Sequence, residues 1–381
     1  AVLVEAAQKH ADPNVLGQAL ALSMHAIATE VEAGDTDGAR RAFRASLPLL
    51  QIADGKDLAG KVQPSPARLR AMMGEIELHD GHIDEAKKLF IAAVKQEPLG
   101  GVVAALARID RATGNPQAAQ AKLQQALTTP DVQHDAALHG EVLLAQSDLL
   151  REAGDVNAAR VPLTEALKLL AQARATQDNA ARARVERTLS RVLDRFGATK
   201  LASAALARAL DATPKDKDEI AATLGISVSQ ALVHNDLKAA KEGLRHALGA
   251  DLGDDDLVYL ALWTRAVEKQ MKAPTDGDPE KVFAQISDDG RWVGRLAAFG
   301  AGKLKAADLI ASAKTPAQKT EALFYAGLEK RSAGDMASAT MFFQQSMKAG
   351  GVDLMENALA RDILEGPKAY VGGPVPEVGL P

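Results

Sequence analysis

Four arginines, Arg184, Arg187, Arg191 and Arg195, recur at i, i+3, i+7 and i+11 within NAARARVERTLSRVLDR. On a helix that spacing puts all four on one face. A guanidinium ridge of this kind grips carboxylates or phosphates bidentately, which is recognition chemistry and not bond-breaking. Other candidate constellations miss their templates. AAFGAGKLK at 297–305 carries the Gly-Lys pair of a phosphate loop, but Ala297 and Leu304 stand where a glycine and a Ser or Thr are required. Asp251, Asp254, Asp255 and Asp256 lack the alternating oxygen ligands, central glycine and closing glutamate of a calcium loop. Asp255 or Asp256 reads more simply as the cap of a helix beginning near Leu257. His79 and His82 straddle Gly81, and His134 and His139 are five apart, poor spacing for one helix face, with no third ligand in sight. Trp263 and Trp292 read as core filler, and no nucleophile elbow occurs. The residues therefore predict no catalysis, no metal and no cofactor.

The elements that must position the arginine ridge announce themselves by repetition. Gly81, Ala86, Phe90, Ala93 and Pro98 share their offsets with Gly197, Ala202, Leu206, Ala209 and Pro214. Turn residues that anchor such copies are Gly34, Gly81, Gly114, Gly154, Gly197, Asn235 and Gly334. Five residues on stand Ala39, Ala86, Ala119, Ala159, Ala202, Ala240 and Ala339. Nine on stand Phe43, Phe90, Leu123, Leu163, Leu206, Leu244 and Phe343, and twelve on Ser46, Ala93, Ala126, Ala166, Ala209, Ala247 and Ser346. Glycine reaches φ > 0 where one helix stops, and Asp35, Asn115, Asp155 or Asp335 can cap the next. A period of a few tens of residues predicts stacked helix pairs that bury their apolar stripes only against neighbours.

The pattern resembles the tetratricopeptide repeat family over most of residues 20 to 350. Gly74, Leu106-Ala107 and Gly327 occupy the family's small position in the first helix of a pair. The copies are degenerate, since the family's tryptophan and tyrosine are missing, and successive anchors lie 47, 33, 40, 43, 38 and 99 residues apart. An irregular unit is expected in the long gap, centred on Gly302 with Ala307 five residues on. The resemblance implies an all-α, right-handed solenoid of about eight or nine stacked antiparallel helix pairs. It also implies that the first helix of each pair lines a concave groove. Carried over by position, the groove-facing residues are Arg108 and Arg111 before Gly114, Glu141, Asp148, Arg151 and Glu152 before Gly154, and Arg184, Arg187, Arg191, Asp194 and Arg195 before Gly197. The asparagine with which some members clamp a C-terminal carboxylate is missing: the equivalent positions are Glu75, Arg108, Asp148, Arg191, Ser229 and Leu328.

Bulk properties agree with a helical array. Hydrophobic residues make up 47% and aromatics only 3%, so packing must rely on small side chains and close helix approach. A net charge of −5 argues against nucleic acid as partner. No apolar run is long enough to span a membrane, and AVLVEAAQKH is too short and polar for a signal peptide. The start at Ala1 is read as a processed or trimmed end. With no cysteine, disulfides and thiol chemistry drop out, and the composition is bacterial in style with a lean toward the periplasm or cell envelope over the cytoplasm. The predicted organisation is helical repeats over 1–250, an irregular helical or linker segment over 251–300 with its loop at 272–292, further repeats over 301–365, and a Pro/Gly-rich extended tail over 366–381. The expected function is a non-catalytic scaffold or adaptor that takes an acidic or extended segment of a partner protein across Arg108, Arg111, Arg151, Arg184, Arg187, Arg191 and Arg195. The alternatives are a structural subunit of an envelope, secretion, pilus or motility assembly, and, least favoured, an all-α enzyme.

Overall fold

A computed structural model describes residues 12–55, 61–175, 178–286, 290–366 and 374–377. Among them there are twenty helices and no strand. The chain forms two compact units that divide between Asp131 and Val132. The first holds three helix pairs: α1 (Pro13–Glu32) with α2 (Thr36–Gly55), α3 (Pro66–His79) with α4 (Ile83–Gln96), and α5 (Gly100–Ala112) with α6 (Pro116–Leu127). The short α7 (Pro130–His134) spans the division. The second unit begins with the pairs α8 (Ala136–Glu152) and α9 (Val156–Ala173), α10 (Asn179–Arg195) and α11 (Thr199–Ala212), α12 (Lys217–His234) and α13 (Leu237–Gly249). Irregular helices follow: α14 (Asp254–Gln270), α15 (Asp278–Gln285), α16 (Trp292–Gly300) and α17 (Ala306–Ser312). The pair α18 (Pro316–Ser332) and α19 (Met336–Lys348) and a single α20 (Met355–Glu365) complete it.

All seven anchors turn left-handed. The six glycines have φ between 72° and 84°, and Asn235 has φ 55°. Each turn closes with a bond from the residue after the anchor back five positions, as in His82 N to Glu77 O at 2.8 Å and Asp155 N to Leu150 O at 3.1 Å. This ties up carbonyls that the helix end would otherwise leave unpaired. Asp35, Asp155, Asp236 and Asp335 accept from the backbone N–H three residues on, at 2.7–3.1 Å. Asn115 does not cap; its amide donates to Thr113 Oγ1 instead.

The alanine ladder marks the helix crossings. The small residues five and twelve positions past each anchor are at most 1% exposed. The large residues between them are buried too, except Phe43, which is half-buried. Across four of the pairs a glycine admits a large residue: Gly74 faces the Phe90 ring, Gly140 faces Leu170, Gly243 faces Val228 and Gly327 faces Phe343. The copy expected around Gly302 keeps only its turn (φ 73°); Ala307 is exposed and Leu309 is the buried residue. The segment 272–292 is not a plain loop, because α15 lies within it and sets Pro279, Val282 and Phe283 into the core. Residues 287–289 of that segment lie outside the described residues, as do 1–11, 367–373 and 378–381 of the two chain ends.

A Cβ on Gly74 or Gly327 would come within 2.6 Å of the facing phenylalanine ring. Gly74→Ala and Gly327→Ala are therefore expected to lower unfolding free energy by about 1–3 kcal/mol, although alanine favours a helix. Gly249→Ala, where nothing lies within 4 Å, should instead gain a few tenths up to about 1 kcal/mol. Denaturant titration of the three variants reads the sign directly.

Candidate functional site

Asp178 caps α10, accepting from Ala181 N at 2.8 Å. The packed side of α10 carries Val185, Leu189, Val192 and Leu193, together with a buried Glu186 held by Arg174 at 2.8 Å and Arg208 at 3.0 Å. Its other side carries the four arginines, between α8 and α12. Arg184 pairs with Asp135 at 3.1 Å, Arg191 with Glu141 at 3.8 Å and Arg195 with Asp148 at 2.9 Å, all toward α8. Arg187 turns to α12, where Glu219 accepts from it. The ridge is thus a cationic seam between two acidic helices, and its pairs run between repeats and not along the helix.

Exposure divides the four. Arg184 and Arg191 keep about half their side chains in water, at 51% and 47%. Arg187 and Arg195 keep 12% and 13%. The two exposed arginines, with Asp135, Glu141, Arg187 and Ile226, line a cleft of about 230 Å³. Arg195 reaches a second carboxylate, Asp362 of α20, at 3.1 Å. Arg151 joins this end of the seam, with its side chain 4% exposed, Asp148 at 3.7 Å and Glu365 of α20 in direct contact. Asp194, on the far side, accepts from His234 Nε2 at 2.7 Å and holds that imidazole above its ordinary range despite its burial. Arg108 and Arg111 lie on α5 of the first unit, Arg108 at 3.8 Å from Glu75 and Arg111 half-buried, and are not part of this cleft.

Two features escaped the sequence. One is a wider surface cavity of about 590 Å³ beside α9, lined by His139, Arg160, Val161, Thr164, Lys168 and Leu169 among others. Arg160 stacks on the Phe196 ring and donates to the Pro374 carbonyl of the tail. The other is a buried polar cluster in the core. Glu321 accepts from Trp292 Nε1 at 2.6 Å and from Tyr259 OH at 3.0 Å, while Glu356 accepts from Tyr325 OH at 2.8 Å. Burial and the neighbouring Glu356 push the Glu321 carboxyl up to about 8, and burial raises Glu356 as well. Asp255 on α14 adds a further negative field. The two donors, Trp292 and Tyr259, favour the ionised form, but burial outweighs them. In sequence Glu321 merely opens an apolar stretch (EALFYAGL) of a helix that carries other charged residues at both ends.

No family model matches the chain, and no curated protein matches it significantly. Among solved structures, it is similar to the crystal structure of yeast Tom70, at 12% identity over 92% of this chain and 96% of that one, with TM-score 0.25. It is also similar to Naa15/Naa10 bound to HypK-THB (17% identity, 92% and 63% covered, TM-score 0.21). A third is the P58(IPK) TPR domain (12%, 91% and 98%, TM-score 0.20).

Removing Arg195 leaves Asp148 and Asp362 facing each other with little water. Arg195→Ala is expected to lower unfolding free energy by about 3 kcal/mol, whereas Arg184→Ala should change it by less than about 0.5 kcal/mol; equal losses would refute the division of the ridge. Glu321 supplies a pH test. Its folded-state affinity for a proton exceeds that of the unfolded chain, so its contribution to stability is greatest below the ordinary value of 4.5 and falls as pH rises toward about 8. Thermal melts should show Glu321→Gln gaining on the wild type between about pH 5 and pH 8; a constant difference would contradict a protonated Glu321.

Proposed function

We propose that this chain is a non-catalytic protein-interaction scaffold whose second unit takes an acidic or extended segment of a partner in the cleft between α8, α10 and α12. The observation that carries this reading is the half-exposed pair Arg184 and Arg191 at the cleft, on a helix fixed on its opposite side by packing and by the Glu186 pairs. Their present partners, Asp135 and Glu141, are exposed ion pairs worth only about 0.2–1 kcal/mol each. Incoming carboxylates can replace them at little loss, and the backbone that aims the guanidinium groups does not have to move. Arg187 and Arg195, by contrast, are fixed by Glu219 and by Asp148 with Asp362, so they shape the cleft more than they are available to a ligand. Arg108 and Arg111 belong, on this reading, to a separate surface of the first unit.

Crosslinking mass spectrometry, with the whole chain as bait in its native cell, tests this directly. Partner crosslinks are expected around the cleft, and capture should fall at least about tenfold when Arg184→Glu and Arg191→Glu are combined, given the reversal of two charge-assisted contacts. Unchanged capture would sink the cleft. Crosslinks concentrated on outer helices such as α9 would assign the chain to a structural role within an assembly.

A further inference from the structure

Helix α20 meets the second unit in a way that a simple end cap does not require. Its apolar stake is small: Leu359 and Ala360 are buried, with Ile363 and Leu364 partly so. The remaining contacts are made by charged groups spaced along the helix. Glu356 accepts from Tyr325 of α18. Asp362 accepts from Arg195 of α10, Glu365 from Arg151 of α8, and Arg361 pairs with Glu152 of α8 at 3.0 Å. Met355 fits over Gly225 of α12, where a Cβ would stand 3.9 Å from its Cε. Three helices distant in sequence, α8, α10 and α12, together with α18 of the preceding pair, thus form a seat for one acidic, amphipathic helix.

The helix joins α19 through Gly350 (φ 112°) and Gly351, whose buried N–H donates to Thr320 Oγ1 at 2.9 Å, so this joint is pinned. One observation marks the seat as exchangeable: Arg151 is underused. With α20 in place, its buried Nη2 has no hydrogen-bond partner and its Nε stands 3.7 Å from Asp148, within ion-pair reach but not hydrogen-bonded, although a guanidinium offers a carboxylate a two-pronged fork. Buried ion pairs return little net stability once desolvation is counted, and burial beside Asp148 lifts the Asp362 carboxyl above its ordinary range. A helix that placed a carboxylate squarely on Arg151 would make bonds that α20 does not.

We propose that the surface formed by Arg151, Arg195 and Gly225 is a receptor for an acidic amphipathic helix, that α20 is its resident occupant, and that a partner helix of the same character enters by displacing α20. This deepens the scaffold reading above by naming the partner's chemistry at the adjoining end of the same seam. The cis helix holds an effective concentration that a free peptide cannot match, so wild-type protein should look closed to such ligands.

The probe is a fluorescein-labelled synthetic peptide with the sequence of residues 352–366, titrated by anisotropy into the full chain and into its Asp362→Lys variant. Hydrogen exchange follows 355–365 in parallel. Asp362→Lys should strip protection from 355–365, leave 316–332 protected, and bind the peptide about tenfold or more tightly than the wild type does. Adding Arg195→Glu should restore the pair with reversed charges, re-protect 355–365 and abolish peptide binding, which separates release from misfolding. Retained protection of 355–365 in Asp362→Lys, or release without any gain in peptide binding, would overturn the proposal. If partner crosslinks still gather at Arg184 and Arg191 while the peptide fails, the cleft reading stands and the receptor falls; if the peptide binds but those crosslinks are missing, the reverse holds.

Discussion

The helix pairs depend on crossings where a small residue (glycine, alanine or serine) is buried against the facing helix. At Gly74 against Phe90 and Gly327 against Phe343 the partner ring fills the space that a Cβ would need. At Ala86, Ala159 and Ala240 a single methyl group is completely buried. Interiors packed to crystal density tolerate little change in such places. The left-handed turns between the helices serve the same constraint, because they bring the second helix back onto the first within two or three residues and so fix where the crossing falls. A chain with so few aromatic residues can sustain an extended core this way: close backbone approach substitutes for large side chains.

Because the crossings hold the pairs together, the polar face of each first helix is released for other work, and in the second unit that work is electrostatic. Acidic α8 and acidic α12 flank the arginines of α10, so every member of the ridge finds a carboxylate on a neighbouring repeat. The effect is to set a register between repeats through pairs that run across them. It also divides the ridge by depth. Where water reaches, at Arg184 and Arg191, pairing is weak and replaceable; where it does not, at Arg187 and Arg195, the charges are committed to structure.

The repeat grammar was legible because it is local. Offsets of five, nine and twelve residues from a turn anchor depend on helix geometry alone, and all seven anchors adopt the expected turn. The arginine stripe was legible as a face for the same reason. Two of its partners were not, since Asp135 and Glu219 are separated from their arginines by 49 and 32 residues and look in sequence like solvated acids, whereas Glu141 and Asp148 were placed on the groove face without being matched to an arginine. The copy at Gly302 failed because a turn glycine can be followed by a helix whose buried residue sits two places later, at Leu309 instead of Ala307. The core carboxyls Glu321 and Glu356 were missed because each looks like an ordinary surface acid until the helices around it are assembled.

The return of α20 changes how the second unit should behave as a folding system. An open array is quasi-one-dimensional, with each repeat stabilised by its neighbours and ends that fray independently. Here Arg195 with Asp362 and Arg151 with Glu365 join residues 167 and 214 positions apart, and Tyr325 with Glu356 ties the same helix into the last pair. Opening the C-terminal end therefore strips charged partners from α8 and α10 as well: Arg195 loses Asp362, Arg151 loses Glu365 and Glu152 loses Arg361. The first and last repeats of the unit are coupled through one helix, and that helix docks by charge as much as by apolar burial. Coupling of this kind makes occupancy of the α20 seat a property the whole unit senses, because whichever helix sits there completes the charge balance of repeats far removed along the chain.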